Sequence, residues 1–179
     1  MQKHPEAPVS VYPDVLAEDR YKSLLAELSQ SHLEMHQPYP KRLFSKPEHE
    51  PWLRGYFEDF IATLKTHTGQ DGLYVQQIFL GMELPDSGFL LHRSHPNIAA
   101  VAVYSLEDFP PVQLHVLTNS HDDPEDYLWG RKDYKFVPFA FSANEAIVVH
   151  NTDPRYHWGF SSKIGQNTIK RSIWIYFGK

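Results

Sequence analysis

Between Asp14 and Ser31 the apolar residues Val15, Leu16, Leu24, Leu25 and Leu28 recur among good helix formers, and this spacing predicts one amphipathic helix. Residues 32–50 carry Pro38, Pro40 and Pro47 and read as a proline-punctuated connector in which a helix cannot continue. From Pro51 a second helical period begins, with Trp52, Leu53, Tyr56, Phe57, Phe60, Ile61 and Leu64 three and four apart and Gly69 as its stop signal.

After Gly72 the texture changes to short β-branched and aromatic runs: LYVQQIFLGMEL, FLLHRS, NIAAVAVYSL, PVQLHVLT, YKFVPFAF, EAIVVHN, YHWGF and TIKRSIWIYF. Eight strands at such intervals, with no helix between them, predict an antiparallel double sheet or jelly roll and not a βαβ fold. The expected organisation is a single domain over 1–179, with a helical part at 1–71 packed outside a mainly β core at 72–179. The segment HDDPEDYLWGRKDY reads as an acidic, exposed loop.

Composition narrows the chemistry. A chain of 179 residues with 41% hydrophobic and 22% charged residues is ordinary for one globular domain. Seventeen Lys and Arg against 22 Asp and Glu leave a net charge of −5, so no basic field exists to hold a phosphate backbone, and nucleic acid is not an expected partner. With no cysteine there are neither disulfides nor thiolate sites, and any metal must sit on His and oxygen. The N-terminal residues MQKHPEAPVSVYPD lack the apolar core of a signal peptide, and no stretch approaches the ~20 apolar residues of a membrane span. A soluble cytoplasmic protein without a membrane partner is expected. Eleven His and 14% aromatic residues suit a ligand pocket and a well-packed β core equally.

The chemistry-bearing stretch is Leu91-His92-Arg93-Ser94-His95-Pro96-Asn97-Ile98, then a strand ending in Tyr104, then Tyr156-His157-Trp158-Gly159 and Lys170-Arg171-Ser172. In order and spacing these residues resemble the Fe(II)- and 2-oxoglutarate-dependent oxygenases of the double-stranded β-helix fold, in particular the prolyl-hydroxylase-like branch. The resemblance covers roughly residues 72–179 and implies Fe(II) as cofactor and 2-oxoglutarate as co-substrate. It implies His92 and His157 as metal ligands in a facial triad that leaves three positions open. A basic residue followed by Ser172 would anchor the distal carboxylate of 2-oxoglutarate. Alternation puts Lys170, Ser172 and Trp174 on one face of the last strand and Arg171, Ile173 and Ile175 on the other, so only one basic residue faces the pocket. The motif register favours Lys170; a bulge or a phase shift of one favours Arg171, with better bidentate geometry. Tyr74, Gln76 and Tyr104 match positions that often face the co-substrate in relatives, although aromatics on alternating strand positions are usually core.

One departure from the family pattern matters most. Where the triad has a carboxylate this chain has Ser94, a neutral hydroxyl and a poor ligand for a divalent metal. Iron can still be held by two His and the bidentate co-substrate, with water or halide beside Ser94, as in the halogenase branch and the aspartyl and asparaginyl β-hydroxylases. A third ligand can come from His95, Asp86 or the His121-Asp122-Asp123 cluster. Or the site can bind ligand without turnover. His95 would point away from His92 on a regular strand, and His121-x-Asp123 lies in the acidic loop.

Every one of these residues has a plainer role too. Lone strand histidines are commonly background, and His4, His32, His36, His49 and His67 receive none of the chemistry. Lys170 and Arg171 suit edge-strand charges that block sheet association. Trp158, Trp174 and Phe177 read as core. The expectation is an oxygenase-like protein acting on a C–H bond of a small molecule or peptide, by hydroxylation or halogenation. Beside it stand a non-catalytic jelly-roll protein binding small carboxylates, and a cupin-type metal enzyme that does not use 2-oxoglutarate. Oligomeric state is not readable.

Overall fold

The computed structural model describes residues 1–3, 8–39, 42–84, 96–108, 113–117, 142–152, 157–161 and 169–179, and of 36–39, 42, 113–117 and 157–161 the backbone alone. The expected helices are present. The first is α1, Glu18–Gln30, with Glu18 and Asp19 in its first turn, where carboxylates complement the exposed amides. It buries Leu24 and Leu28. The second periodic run is two helices, α2 (Glu50–Tyr56) and α3 (Glu58–Thr68), separated at Phe57, whose ψ of 10° falls outside the helical well. Phe57 is fully buried, so the break turns a large ring into the core instead of continuing the helix. Gly69 ends α3 in the left-handed conformation at φ 63°, where a side chain would be strained. Among the described residues no helix is long and apolar enough to cross a membrane.

Among the described residues ten strands accompany them: β1 (Gln2–Lys3), β2 (Val9–Tyr12), β3 (Met35–Tyr39), β4 (Arg42–Ser45), β5 (Tyr74–Glu83), β6 (Ile98–Ser105), β7 (Gln113–Leu117), β8 (Ala146–His150), β9 (His157–Ser161) and β10 (Lys170–Gly178). Eight form one antiparallel sheet in the order β1-β2-β8-β6-β10-β5-β4-β3, and β7 pairs with β9 in a second sheet. Among β5, β6, β8 and β10 no two neighbours follow each other in sequence, an order that suits a jelly roll. The runs FLLHRS and YKFVPFAF lie outside the described residues.

Residues 1–71 are not purely helical, contrary to expectation, because β1–β4 extend the large sheet on both flanks. In the connector, β3 and β4 form a hairpin that pairs with β5 through Arg42, Leu43 and Phe44. Pro38 is tolerated because β3 is an edge strand, where a missing N–H costs no ladder bond.

The large sheet is buried on both faces. Its outer face carries Ile173, Ile175 and Phe177 from β10, Ile78 and Leu80 from β5, Ala100, Ala102 and Tyr104 from β6, and Ala146 and Val148 from β8, all in one core with Leu24, Leu53, Phe57, Phe60 and Leu64 of the helices. The alternate residues, Val101, Val103, Ile147, Val149, Ser172 and Trp174, are also buried and form an inner face on the side away from the helices. Burial on both sides explains why β6 and β8 read as unbroken apolar runs instead of alternating ones. Tyr21 donates a hydrogen bond to the Leu106 carbonyl at 2.7 Å, which ties α1 to the end of β6.

Candidate functional site

The central strand β10 sorts its residues by parity. Lys170, Ser172 and Trp174 lie on the inner face and are 5%, 9% and 2% exposed. Arg171 lies on the outer face, lining a small groove with Leu28, Leu33, Met35 and Leu106, and its Nε donates to Glu107 at 2.6 Å. No bulge interrupts β10 before Tyr176, so the register that would bring Arg171 inward does not occur. Of the two basic candidates the structure therefore brings Lys170 beside Ser172 and separates Arg171 from both.

The antiparallel pairing names what surrounds this pair, because residues directly opposite on neighbouring strands share a face. Glu83 of β5 faces Lys170 and is buried, and in the backbone ladder its Cα partner on β4 is Arg42. Gly81 faces Ser172 from one side and Ser105 faces it from the other. Trp174 fills the space that Gly81 leaves. A Cβ at Gly81 would lie 2.8 Å from the indole Nε1 and 2.9 Å from Cδ1, closer than real Cβ contacts come. The indole N–H donates to Ser172 Oγ at 2.9 Å. Phe79 stacks parallel to the indole at an interplanar angle of 7°, Tyr176 at 17°, and Phe44 tilts against Phe79 with ring centroids 4.9 Å apart. The inner face is thus apolar and aromatic, with a short polar strip of Lys170, Glu83, Ser172 and Ser105 at one end. In such surroundings an ammonium and a hydroxyl interact far more strongly with a carboxylate than they would in water.

Two tyrosines depart from expectation. Tyr104 is fully buried on the outer face, where its ring meets Phe57 edge-on at 5.0 Å and its hydroxyl bonds Asn144 Oδ1 at 2.9 Å. Its position, opposite Ile173 in the ladder, has the wrong parity for the inner face. Burial pushes its phenol far above the ordinary tyrosine range. Tyr104 packs in the core on the helix side of the sheet, opposite the face that carries Lys170 and Ser172. Tyr74 is 51% exposed and lies across Gly178 at the far end of β5 from Lys170. Gln76 is the extra residue where the β5–β10 register shifts, and it too is exposed.

His157 opens β9, with Leu117 of β7 as its Cα partner. His92, Ser94, His95, Asp86, His121, Asp122 and Asp123 lie outside the described residues, and among the described residues no group of three or more His, Asp or Glu is placed to hold a metal. Trp174, read from sequence as core, is buried at 2% exposure and shares the inner face with Lys170 and Ser172. Its even spacing from Lys170 and Ser172 is what places it there.

No protein-family model and no curated protein sequence matches the chain. Solved structures do. The non-heme alpha-ketoglutarate-dependent epimerase SnoN from nogalamycin biosynthesis superposes with a TM-score of 0.75 at 14% identity, over 97% of this chain and 77% of its own. HygX from Streptomyces hygroscopicus, crystallised with nickel and 2-oxoglutarate, gives 0.71 at 14% identity over 97% and 83%. An oxidoreductase of the 2OG-Fe(II) oxygenase family from Burkholderia pseudomallei gives 0.67 at 12% over 96% and 84%. At such identities the likeness is one of architecture, and the architecture it establishes is the mainly β jelly roll of these proteins.

Proposed function

We propose that this chain is an Fe(II)- and 2-oxoglutarate-dependent oxygenase that oxidises a C–H bond of a small molecule or peptide. The observation that carries the proposal is the pairing of Lys170 with Ser172, a cation and a hydroxyl buried side by side on the inner face of the central strand. That donor set fits the distal carboxylate of a dicarboxylate co-substrate, and the fold is one in which HygX was crystallised with 2-oxoglutarate and a metal.

In this reading His92 and His157 hold the metal, and Ser94 stands beside the position that a triad carboxylate would take. The metal and 2-oxoglutarate together supply oxygen activation and C–H oxidation. The chain supplies the rest. Lys170 attracts the distal carboxylate and Ser172 donates to it, fixing how far the oxo-acid end reaches toward the histidines. Val101, Val103, Phe79 and Trp174 wall the inner face with apolar surface and keep water from competing for those two donors. Arg171, paired with Glu107 on the outer face, has no part in it.

The test is anaerobic titration of the protein with Fe(II) and 2-oxoglutarate, followed by the visible metal-to-ligand charge-transfer band, with and without chloride. A band is expected, and a shift with chloride favours halogenation over hydroxylation. Lys170→Met is expected to weaken 2-oxoglutarate about 10- to 100-fold, the worth of a hydrogen bond to a charged group, with metal affinity retained. Ser94→Asp is expected to tighten iron binding. Absence of the band at saturation would leave a non-catalytic carboxylate-binding protein as the better account.

A further inference from the structure

We infer that Trp174 is the positioning residue of the carboxylate anchor, and that the missing side chain at Gly81 is what allows it to act. The inference rests on the oxygenase reading above and goes beyond it by assigning how Ser172 is made a donor. A serine hydroxyl has one hydrogen to give and two lone pairs to receive, and an indole N–H can only give. With the Trp174 Nε1 hydrogen directed at Ser172 Oγ from 2.9 Å, Ser172 acts as acceptor toward the indole, and its own hydrogen is directed elsewhere. A carboxylate, which only accepts, is the complementary ligand. Ser105, opposite Ser172 on β6, gives its hydrogen to the Glu107 carbonyl at 2.7 Å, so of the two facing serines it is Ser172 whose hydrogen is left for a ligand on the inner face.

The indole keeps this geometry because it is boxed in. Phe79 and Tyr176 stack against it, both with ring centroids 6.4 Å away, and the ring leans over β5 at the one position with no Cβ to displace it. Glycine in the interior of a strand weakens the strand, and here the close approach of another side chain accounts for it. Gly81, Trp174 and Ser172 thus work as a unit: the glycine admits the indole, the indole orients the hydroxyl, and the hydroxyl selects a ligand with a second carboxylate.

The experiment compares two oxo acids on the Fe(II)-loaded protein under anaerobic calorimetry: 2-oxoglutarate, and 2-oxopentanoate, which chelates alike but has no distal carboxylate. Ser172→Ala and Trp174→Phe are each expected to weaken 2-oxoglutarate about tenfold, as for one hydrogen bond to a charge, and to leave 2-oxopentanoate unchanged. The double variant is expected to match Ser172→Ala alone, since the indole acts through that hydroxyl. Gly81→Ala is expected to lose the same preference. Equal weakening of both oxo acids by Trp174→Phe, or additivity with Ser172→Ala, would overturn the inference by showing a merely structural role. A readout without substitution at Trp174 uses the zinc-loaded wild type, whose four Trp give four indole N–H resonances. One is expected to move with 2-oxoglutarate and not with 2-oxopentanoate, and Ser172→Ala to move the same one. If no indole responds, the inference fails. If the wild type binds 2-oxopentanoate and 2-oxoglutarate equally, or neither, the oxygenase reading fails and takes the inference with it.

Discussion

Tyr12→Phe is expected to stabilise the protein. Tyr12 is 5% exposed, in the core between β2 and α3, where its ring meets Phe60 edge-on at 5.4 Å and stacks on His67 at 5.7 Å. Its hydroxyl is cut off from water and finds no hydrogen-bond partner among the described residues. Phenylalanine keeps both ring contacts and removes only the stranded oxygen. A buried polar group without a partner costs about 1–3 kcal/mol, against which stand the oxygen's packing contacts and a void of one atom, so the expected net gain is about 1 kcal/mol. For a domain of this size that raises Tm by about 2–4 °C, and it is read by urea denaturation at neutral pH with m unchanged. The same burial pushes the Tyr12 phenol above its ordinary value of 10.0. A raised folded pKa gives stability that is complete below about pH 10 and declines as pH rises through the folded value, so the variant should also lose less stability on alkaline titration. A loss of 1 kcal/mol or more in Tyr12→Phe would refute the reasoning, because it would show that the hydroxyl makes a favourable bond.

Three further outcomes follow from the geometry. Arg171→Met should leave 2-oxoglutarate affinity within about twofold and cost no more than about 1 kcal/mol, since Arg171 and Glu107 are 39% and 36% exposed and such pairs contribute little; calorimetry and denaturation check both. His150 bonds Ser10 Oγ through Nε2 at 2.9 Å, and burial, with Lys3 nearby, holds its imidazole below the ordinary 6.5. A depressed histidine gives stability that is present above about pH 6.5 and lost as pH falls, so the urea midpoint should drop between about pH 8 and 5.5, and His150→Gln should drop less. Asn144 sits at φ 59° while its side chain makes hydrogen bonds with the Leu16 N–H, the Leu16 carbonyl and the Tyr104 hydroxyl. Asn144→Gly should cost about 3 kcal/mol for the three bonds, and Asn144→Ala about 1 kcal/mol more for a Cβ at positive φ; equal losses would exclude the backbone component.

Much of the architecture was legible in residue order. The three-and-four spacing of Trp52 to Leu64 gave the helical run, and Gly69 gave its end, because both signals are local. The break at Phe57 was not legible, since it depends on a core pocket for that ring. The β3–β4 hairpin was hidden by prolines that read as a connector and are harmless on an edge, and VSVY at β2 is too short to announce a strand without β8 beside it. At the site, strict alternation along β10 correctly put Lys170, Ser172 and Trp174 together and Arg171 with Ile173 and Ile175. The same parity argument, applied across the β6–β10 ladder, would have set Tyr104 against Ile173 on the helix side, but cross-strand register is a tertiary fact that no single strand carries. The close fit at Gly81 was invisible for the same reason: it appears only when Trp174, 93 residues further along the sequence, leans over it.

The strand at the centre of the large sheet, β10, follows all the other described strands in sequence and lies between β5 and β6. During synthesis from the N-terminus, the helices and β5 emerge well before the partner that joins them to β6, and no shorter nascent chain can close the sheet. Until β10 arrives, β5 and β6 each present an unpaired apolar edge, which makes the growing chain a natural client for holding chaperones. That order makes closure of the sheet a late, long-range step, and it places the residues of the proposed anchor in the strand whose docking closes it.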